Sequence, residues 1–529
     1  MKKIICLLMA VVLLLSICGC AQSEGGGDNP DNPSAKPDDK PASQTISLLY
    51  SYSDSFNPYL AKTSANRTIA SLLYDSLVMT DNNFEPVNVL ASSVEIDNKT
   101  CTVKLKTATF SDGSAVTADD VVYSYNTAKA SARYTHNFYE VASVSVLDAK
   151  TIVFNLSQCD PYFANLLTFP IVKSGTANLT DADGKEIAPT GCGRYVLSED
   201  ETSFKLNKSY HGKKGVIETV NLINSPDEAS TSHYVEVGAT AIYYTEGDKI
   251  VRMSGKKTEV SLNRLIYIGV NNNYGSLTTK EMRYALSSAI DRAAICRTAY
   301  YNNAVSAAGF FNPNFKATSA LQTIEDKANS KITVENLSKI GYNSMNSNGY
   351  YGNSAGNNPV FSLLVNSENS SRVAAAKMIA EQCKTAGIQI NVVECTYEQY
   401  VERLTNGSFH LYLGEVQVGN NMDFSPLVTS SGSASYGVAE NSVATDSTKP
   451  TQDAEQEAPQ VALNYCESIL KSYHEGSCSI SDVATTLLTE MPHIPVCYLN
   501  GVLFYNSDIK NGVDASSNDI YLGFENYEF

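Results

Sequence analysis

Cys101 to Asn126 reads CTVKLKTATFSDGSAVTADDVVYSYN. Cys101, Val103 and Leu105 alternate with Thr102, Lys104 and Lys106, the period of a strand with one buried and one wet face. Phe110-Ser111-Asp112-Gly113-Ser114 ends the alternation with turn-forming residues. Thr117-Ala118-Asp119-Asp120 then has Ser/Thr-x-x-acid spacing, in which hydroxyl and carboxylate satisfy each other's orphan amides. A helix is expected from there to about Lys129, its first-turn carboxylates suiting the positive end of the helix dipole.

The same signals recur outward from this stretch. Val144 to Val146 and Thr151 to Leu156 flank Asp148-Ala149-Lys150 as a hairpin. Upstream, Ile46 to Tyr50 reads as a strand, Ser51 to Tyr59 as a polar loop, and Thr68 to Leu77 as a helix with Ile69, Leu72, Leu73 and Leu77 on one face. Downstream, Thr278-Thr279-Lys280-Glu281 is a second capping box, followed at helical spacing by Met282, Ala285, Leu286, Ala289, Ile290 and Ala293. Strand Val360 to Val365, helix Arg372 to Ala386 and strand Ile388 to Glu394 make a βαβ unit. Ser430 to Pro459 reads as a long surface loop. Val461 to Tyr473 and Ser481 to Glu490 resume helical spacing, and Ile494 to Tyr505 closes as a strand. The pattern is mixed α/β without a repeat of fixed period.

Lys2 and Lys3 precede Ile4 to Ile17, an apolar run broken only by Ser16. It is too short to span a bilayer comfortably and suits the core of a signal peptide over residues 1–19. Ile17-Cys18-Gly19-Cys20 resembles the bacterial lipobox, which implies cleavage before Cys20 and lipidation of its thiol. Residues 20–45, rich in Gly, Pro and Asp, then read as a flexible linker with too little apolar surface to offset its ordering entropy. An extracytoplasmic, lipid-anchored place on the cell membrane follows.

The body after Cys20 is too long for one hydrophobic core, so two or three domains are expected. Net charge is −17, from 39 Lys and Arg against 56 Asp and Glu, which argues against nucleic acid as a partner. Nine cysteines follow Cys20, none in a CxxC, so a zinc ribbon or thioredoxin-type motif is unsupported. They cannot all pair with one another. Those on apolar faces, such as Cys383, read as small buried hydrophobes. No GxSxG, HExxH or Walker pattern is present. Ser468-Ile469-Leu470-Lys471 fits S-x-x-K, but no K-T-G follows and the segment reads as an amphipathic helix. The six histidines are scattered without ligand spacing. No catalytic residue, metal site or cofactor is expected.

Cys101 to Asn126 resembles the signature of the family 5 extracellular solute-binding proteins, the oligopeptide, dipeptide and nickel receptors of ABC importers. Met282 to Ile295, MRYALSSAIDRAAI, is similar to a second family helix. Pro189-Thr190-Gly191-Cys192-Gly193-Arg194-Tyr195 resembles the family's P-x-G-T-G-P-Y turn, with Cys192 for Thr and Arg194 for Pro. Ala386-Gly387-Ile388, Tyr397 to Tyr400 and Met491 to Val496 extend the likeness towards the C-terminus. The resemblance implies an α/β, two-lobed periplasmic-binding-protein-like fold (type II, cluster C) with an extra inserted domain. Carried onto this chain, lobe I is 46–85, 170–264 and 500–529, the insert is 86–169, and lobe II is 265–499 with a flexible loop at 430–459.

The resemblance also implies capture of an oligopeptide or dipeptide by hinge closure and delivery, by a monomer, to a membrane permease. A nickel chelate or oligosaccharide as ligand, or a sensor that kept the fold without transport, are the alternatives. In peptide-binding members an Asp in the second lobe pairs with the ligand's ammonium, and Asp423 occupies the matching segment. It also stands before Ser-Pro, where Asp caps a turn. The family's Gly-Trp ahead of this Asp is replaced by Glu415-Val416. Tyr50, Tyr52 and Asn57 follow the first strand, where α/β folds place ligand contacts; surface and core roles fit them equally. Asn271 and Asn272 follow strand Leu265 to Val270, as ligand donors or as a turn. Tyr436 resembles a family Tyr position. Asp112-Gly113 and Thr117 to Asp120 read as structural.

Overall fold

The computed structural model describes residues 44–246, 253–438 and 462–529. The signal segment, Cys20, nearly all of the linker, and residues 439–459 of the expected loop lie outside them.

The deciding stretch folds around its alternation. Thr100–Leu105 is a strand hydrogen-bonded to Ala91–Asp97 on one side and Thr151–Leu156 on the other, and Thr151–Leu156 pairs in turn with Val141–Asp148. Cys101 and Val103 are fully buried. Helix Ala118–Ala130 starts as its sequence dictates, with the Thr117 N–H and Oγ1 donating to the Asp120 carboxylate at 2.9 and 2.7 Å. Tyr125 on its buried face meets Phe138 and Phe154 edge-on. Ser124 ties the helix to the neighbouring backbone, accepting from the Val172 N–H at 2.9 Å and donating to its carbonyl at 3.1 Å.

In the first lobe, Gln44–Tyr50 pairs in parallel with Ile217–Asn224, and Ser203–Leu206 and Tyr195–Leu197 complete an antiparallel edge. The turn at 189–195 is buried against residues 72–74. The Gly193 N–H donates to the Leu73 carbonyl at 2.9 Å, and Cys192 is fully buried. Arg194, in the family's proline position, reaches the C-terminal segment at Asp519 (2.5 Å) and the Tyr521 carbonyl (2.7 Å).

Two long antiparallel strands, Lys256–Val270 and His493–Tyr505, form the middle of a seven-stranded sheet. At one end His493–Tyr505 takes Ile242–Glu246 as a neighbour. At the other end Lys256–Val270 takes Leu411–Gln417, which is followed by Val360–Asn366 and Gln389–Cys395. The long pair slips register between Ser261 and Arg264, where Asn263 has φ +51°. Asn263 is fully buried and donates to the carbonyls of Val418 and Gly419. The bulge is thereby tied to the segment leading to Asp423.

Two helices differ from expectation. The helix expected over Thr68 to Leu77 runs instead over Ser64–Ile69 and tightens into a 3-10 turn at Ala70–Leu72. Thr63 caps its start, an N-terminal signal that outweighs the apolar spacing further on. The single run from Met282 is two helices, Lys280–Ser288 and Arg292–Thr298, because Asp291 leaves helical geometry and caps the second through the Ala294 N–H at 2.7 Å. The βαβ unit forms as Val360–Asn366, Ser370–Thr385 and Gln389–Cys395, with its strands in parallel register.

All nine described cysteines are free thiols; eight are buried and Cys478 is half-buried. Burial alone pushes the Cys383 thiol up to about 12, where little nucleophilic thiolate exists. Alkylation of the native body, followed by mass spectrometry, is expected to label Cys478 first. The other eight should react only after unfolding, and several adducts on the native protein would contradict this packing.

Candidate functional site

Residues 159–165 meet residues 315, 420–421 and 474 along a polar seam. The Cys159 N–H donates to the His474 carbonyl at 2.8 Å, and Asn421 Nδ2 donates to Asp160 Oδ2 at 2.8 Å. Asn165 Nδ2 bridges the carbonyls of Phe84 (2.9 Å) and Asn420 (3.1 Å). Phe84 is buried in the second lobe's apolar cluster, and the Tyr162 ring meets Phe315 edge-on at 5.1 Å.

Four titratable side chains collect at this seam: Glu140, Asp160, Asp423 and His474. Asp423 Oδ1 accepts from the Ser425 N–H at 2.9 Å and from its Oγ at 2.6 Å. His474 Nε2 stands 3.6 Å from the same oxygen, ion-pair range rather than a hydrogen bond. Burial works to raise Asp423, but the imidazole and Ser425 outweigh it and hold the carboxyl below its usual range. Burial likewise opposes charge on His474, yet Asp423 and Glu140 raise it above its usual value. Asp160 is pushed up to about 6, first by burial. Glu140 is pushed up to about 8 by burial and then by the charges of Asp160 and Asp423. Among the described residues no lysine or arginine pairs with any of these three carboxylates.

The seam also leaves donors and acceptors unused. Thirteen buried side-chain polar atoms lack a partner in the described structure. Four of them lie here: Glu140 Oε2, Asn165 Oδ1, Tyr473 Oη and His474 Nδ1. Each such group costs about 1–3 kcal/mol, so their concentration marks a surface arranged for polar contact. Excess carboxylate suits a ligand that brings positive charge and N–H donors.

The residues singled out in the sequence fall in three places. Asp423 is at the seam and also caps the local turn at Ser425. Tyr50 and Tyr52 line a first-lobe groove with Lys62, Lys185 and Glu201. Tyr50 stacks on Phe56 at 5.7 Å, and the Lys185 ammonium lies 5.5 Å from the exposed Tyr52 ring. Asn57, close by in sequence, is buried and donates to the Ala177 carbonyl at 2.6 Å. Asn271, Asn272 and Tyr436 gather at the far end of the long strands. Asn271 donates to the Phe409 carbonyl, Asn272 to those of Val270 and Pro492, and the Asn272 N–H to the carbonyl of Gly437 beside Tyr436. Glu415, in place of the family's Gly-Trp, bridges Arg264 (3.6 Å) and Arg372 (2.5 Å). Glu140, Asp160, Asn421 and His474 escaped the sequence reading. They come from distant parts of the chain, and no local spacing marks them.

A family model described as "Bacterial extracellular solute-binding proteins, family 5 Middle" matches residues 85–437. The glutathione-binding protein GsiB of Escherichia coli O1:K1 / APEC is 26% identical over 293 residues, 52% of this chain and 57% of that protein. The chain therefore spans little more than half the length of that relative. The oligopeptide-binding protein AppA of Bacillus subtilis (strain 168) is 24% identical over 430 residues, 76% of this chain and 78% of that protein. The crystal structure of the ABC transporter substrate-binding protein CtaP of Listeria monocytogenes superposes with a TM-score of 0.68 at 20% identity. It covers 92% of this chain and 99% of CtaP.

Proposed function

This chain belongs to the family 5 bacterial extracellular solute-binding proteins, and from that premise we propose that it captures an oligopeptide or dipeptide by its amino-terminal ammonium at the seam between the insert and the second lobe. The observation that carries this reading is the seam's charge: three carboxylates, one imidazole and four unpartnered buried polar atoms, with no lysine or arginine among the described residues paired to the carboxylates. Asp423 is the ammonium's first partner, being the carboxylate already held ionised. Asp160 and Glu140, from the insert, close over it. The reading is one of binding, not catalysis.

Opening and closing take place about the register slip between Ser261 and Arg264, the point where the long strands are least regular. A solute touching both lobes biases that two-state equilibrium towards closure. Lipid on Cys20 and the linker behind it confine the binder near a permease of an ABC importer, raising its local concentration there.

Native mass spectrometry of the protein purified from its own host is expected to show a co-purified peptide. A peptide library should raise the melting temperature, and small-angle scattering should show compaction on binding. If glutathione, oligopeptides and dipeptides all leave both melting and dimensions unchanged, peptide capture is wrong.

A further inference from the structure

Two of the nine free thiols touch one another. Cys296 stands on helix Arg292–Thr298 and Cys497 on the long strand His493–Tyr505. The short strand Ala304–Ser306 brings them together. Ser306 lies opposite Cys497 in the ladder, and Cys296 Sγ is 3.9 Å from Ser306 Oγ. The helix packs on both strands, and the two thiols are hydrogen-bonded to each other. Cys497 is fully buried and Cys296 is 6% exposed.

The pair is chemically unequal. Burial keeps the proton on Cys497 and raises its thiol well above the usual range, and contact with Cys296 adds to this. Cys296 is lowered instead, first by the hydrogen bond with Cys497 and then, against the effect of burial, by one with Ser306. The other eight described cysteines are all raised. The Arg292 guanidinium, one turn earlier on the same helix, is fully buried. Its hydrogen bonds end on neutral acceptors, the carbonyls of Pro495, Ser287 and Glu325 and the Ser287 hydroxyl, and its charge favours thiolate at Cys296. A thiolate beside a second thiol is the arrangement of a reactive cysteine and its resolving partner.

We propose that Cys296 and Cys497 form a reversible disulfide by reaction with a hydroperoxide such as hydrogen peroxide. The Cys296 thiolate attacks a peroxide oxygen. The S–O bond forms as the O–O bond breaks, and the departing hydroxide leaves as water with the proton Cys296 gave up. The Cys497 sulfur then attacks the sulfenic sulfur of Cys296. The S–S bond forms as the S–O bond breaks, and hydroxide leaves as a second water with the Cys497 proton. The two sulfurs lose two electrons in all, and the peroxide gains them. A dithiol reverses the reaction by exchange. Hydrogen peroxide is little larger than water, so it reaches a sulfur that a bulkier alkylating reagent does not. The pair is separate from the polar seam and does not depend on peptide capture there.

Treating the reduced full chain with hydrogen peroxide, then mapping chymotryptic peptides without reductant, tests this. The expected product is a peptide pair crosslinked through Cys296 and Cys497, lighter by two hydrogens and separated again by dithiothreitol. Cys383, buried and raised, should stay a free thiol in the same sample. In Cys497→Ser the reaction should stop at a Cys296 sulfenic acid, trapped by dimedone added on unfolding. The parent's own map decides if that variant does not fold. The proposal is overturned if the parent gives no Cys296–Cys497 crosslink, if Cys383 is oxidised as readily as Cys296, or if folded Cys497→Ser yields no sulfenic acid at Cys296.

Discussion

Asp423→Asn is expected to lower affinity for a peptide ligand at least about thirtyfold while the fold persists. Removing one partner of a buried charge pair costs about 2–5 kcal/mol, and each ~1.4 kcal/mol is tenfold. The amide can still accept from the Ser425 N–H and Oγ, so the local turn should survive. The neighbouring imidazole gives an independent readout. His474 is raised above its usual 6.5, so its contribution to stability is complete below about 6.5 and fades as pH rises through its folded value. Asp423 is lowered from 3.8, so its contribution is present above about 3.8 and is lost as pH falls through its folded value. Both windows should disappear in the variant, and the His474 ring should titrate at lower pH by NMR. Unchanged peptide affinity would remove Asp423 from the site whatever the imidazole does.

Gly193→Ala is expected to be strongly destabilising, costing about 3 kcal/mol or more, at or beyond the usual range for overpacking. A Cβ there would lie 2.4 Å from the Leu73 carbonyl carbon and 2.7 Å from the carbonyl oxygens of Leu72 and Leu73. These are backbone atoms, and the Gly193 N–H already donates to the Leu73 oxygen at 2.9 Å, so neither strand of the contact can withdraw without breaking the other. Gly191 is equally tight, with a Cβ 2.2 Å from the same oxygen. Chemical denaturation should show the midpoint falling with little change in slope. A variant as stable as the parent would mean that this turn yields.

Local chemistry accounts for what the sequence revealed. The alternation at Cys101 to Leu105, the Thr117–Asp120 box and the βαβ unit at 360–395 are decided by neighbours within a few residues, so their patterns survive in one dimension. The glycines at 191 and 193 were legible as a family turn, but not the reason for them, which is the backbone of residues 72 and 73 lying against them. The long run from Met282 misled because apolar spacing continued through Asp291, whose capping of a second helix competes with that pattern.

The candidate site divides in the same way. Asp423 could be found from its segment, and its turn-capping role from the Ser-Pro that follows it. Its partners could not: Glu140, Asp160 and His474 meet it only when the two lobes fold together. Their altered proton affinities come first from burial, a property of the packed molecule. Arg194 is the same case, legible in sequence only as a departure from a family proline, and paired with Asp519 and Glu525 from the far end of the chain. By itself the sequence determined many of the strand and helix starts and the family, because those rest on short-range periodicity and capping. Only the tertiary structure decided which charges are left without counter-charges, because desolvation and ion pairing depend on which distant segments are brought together.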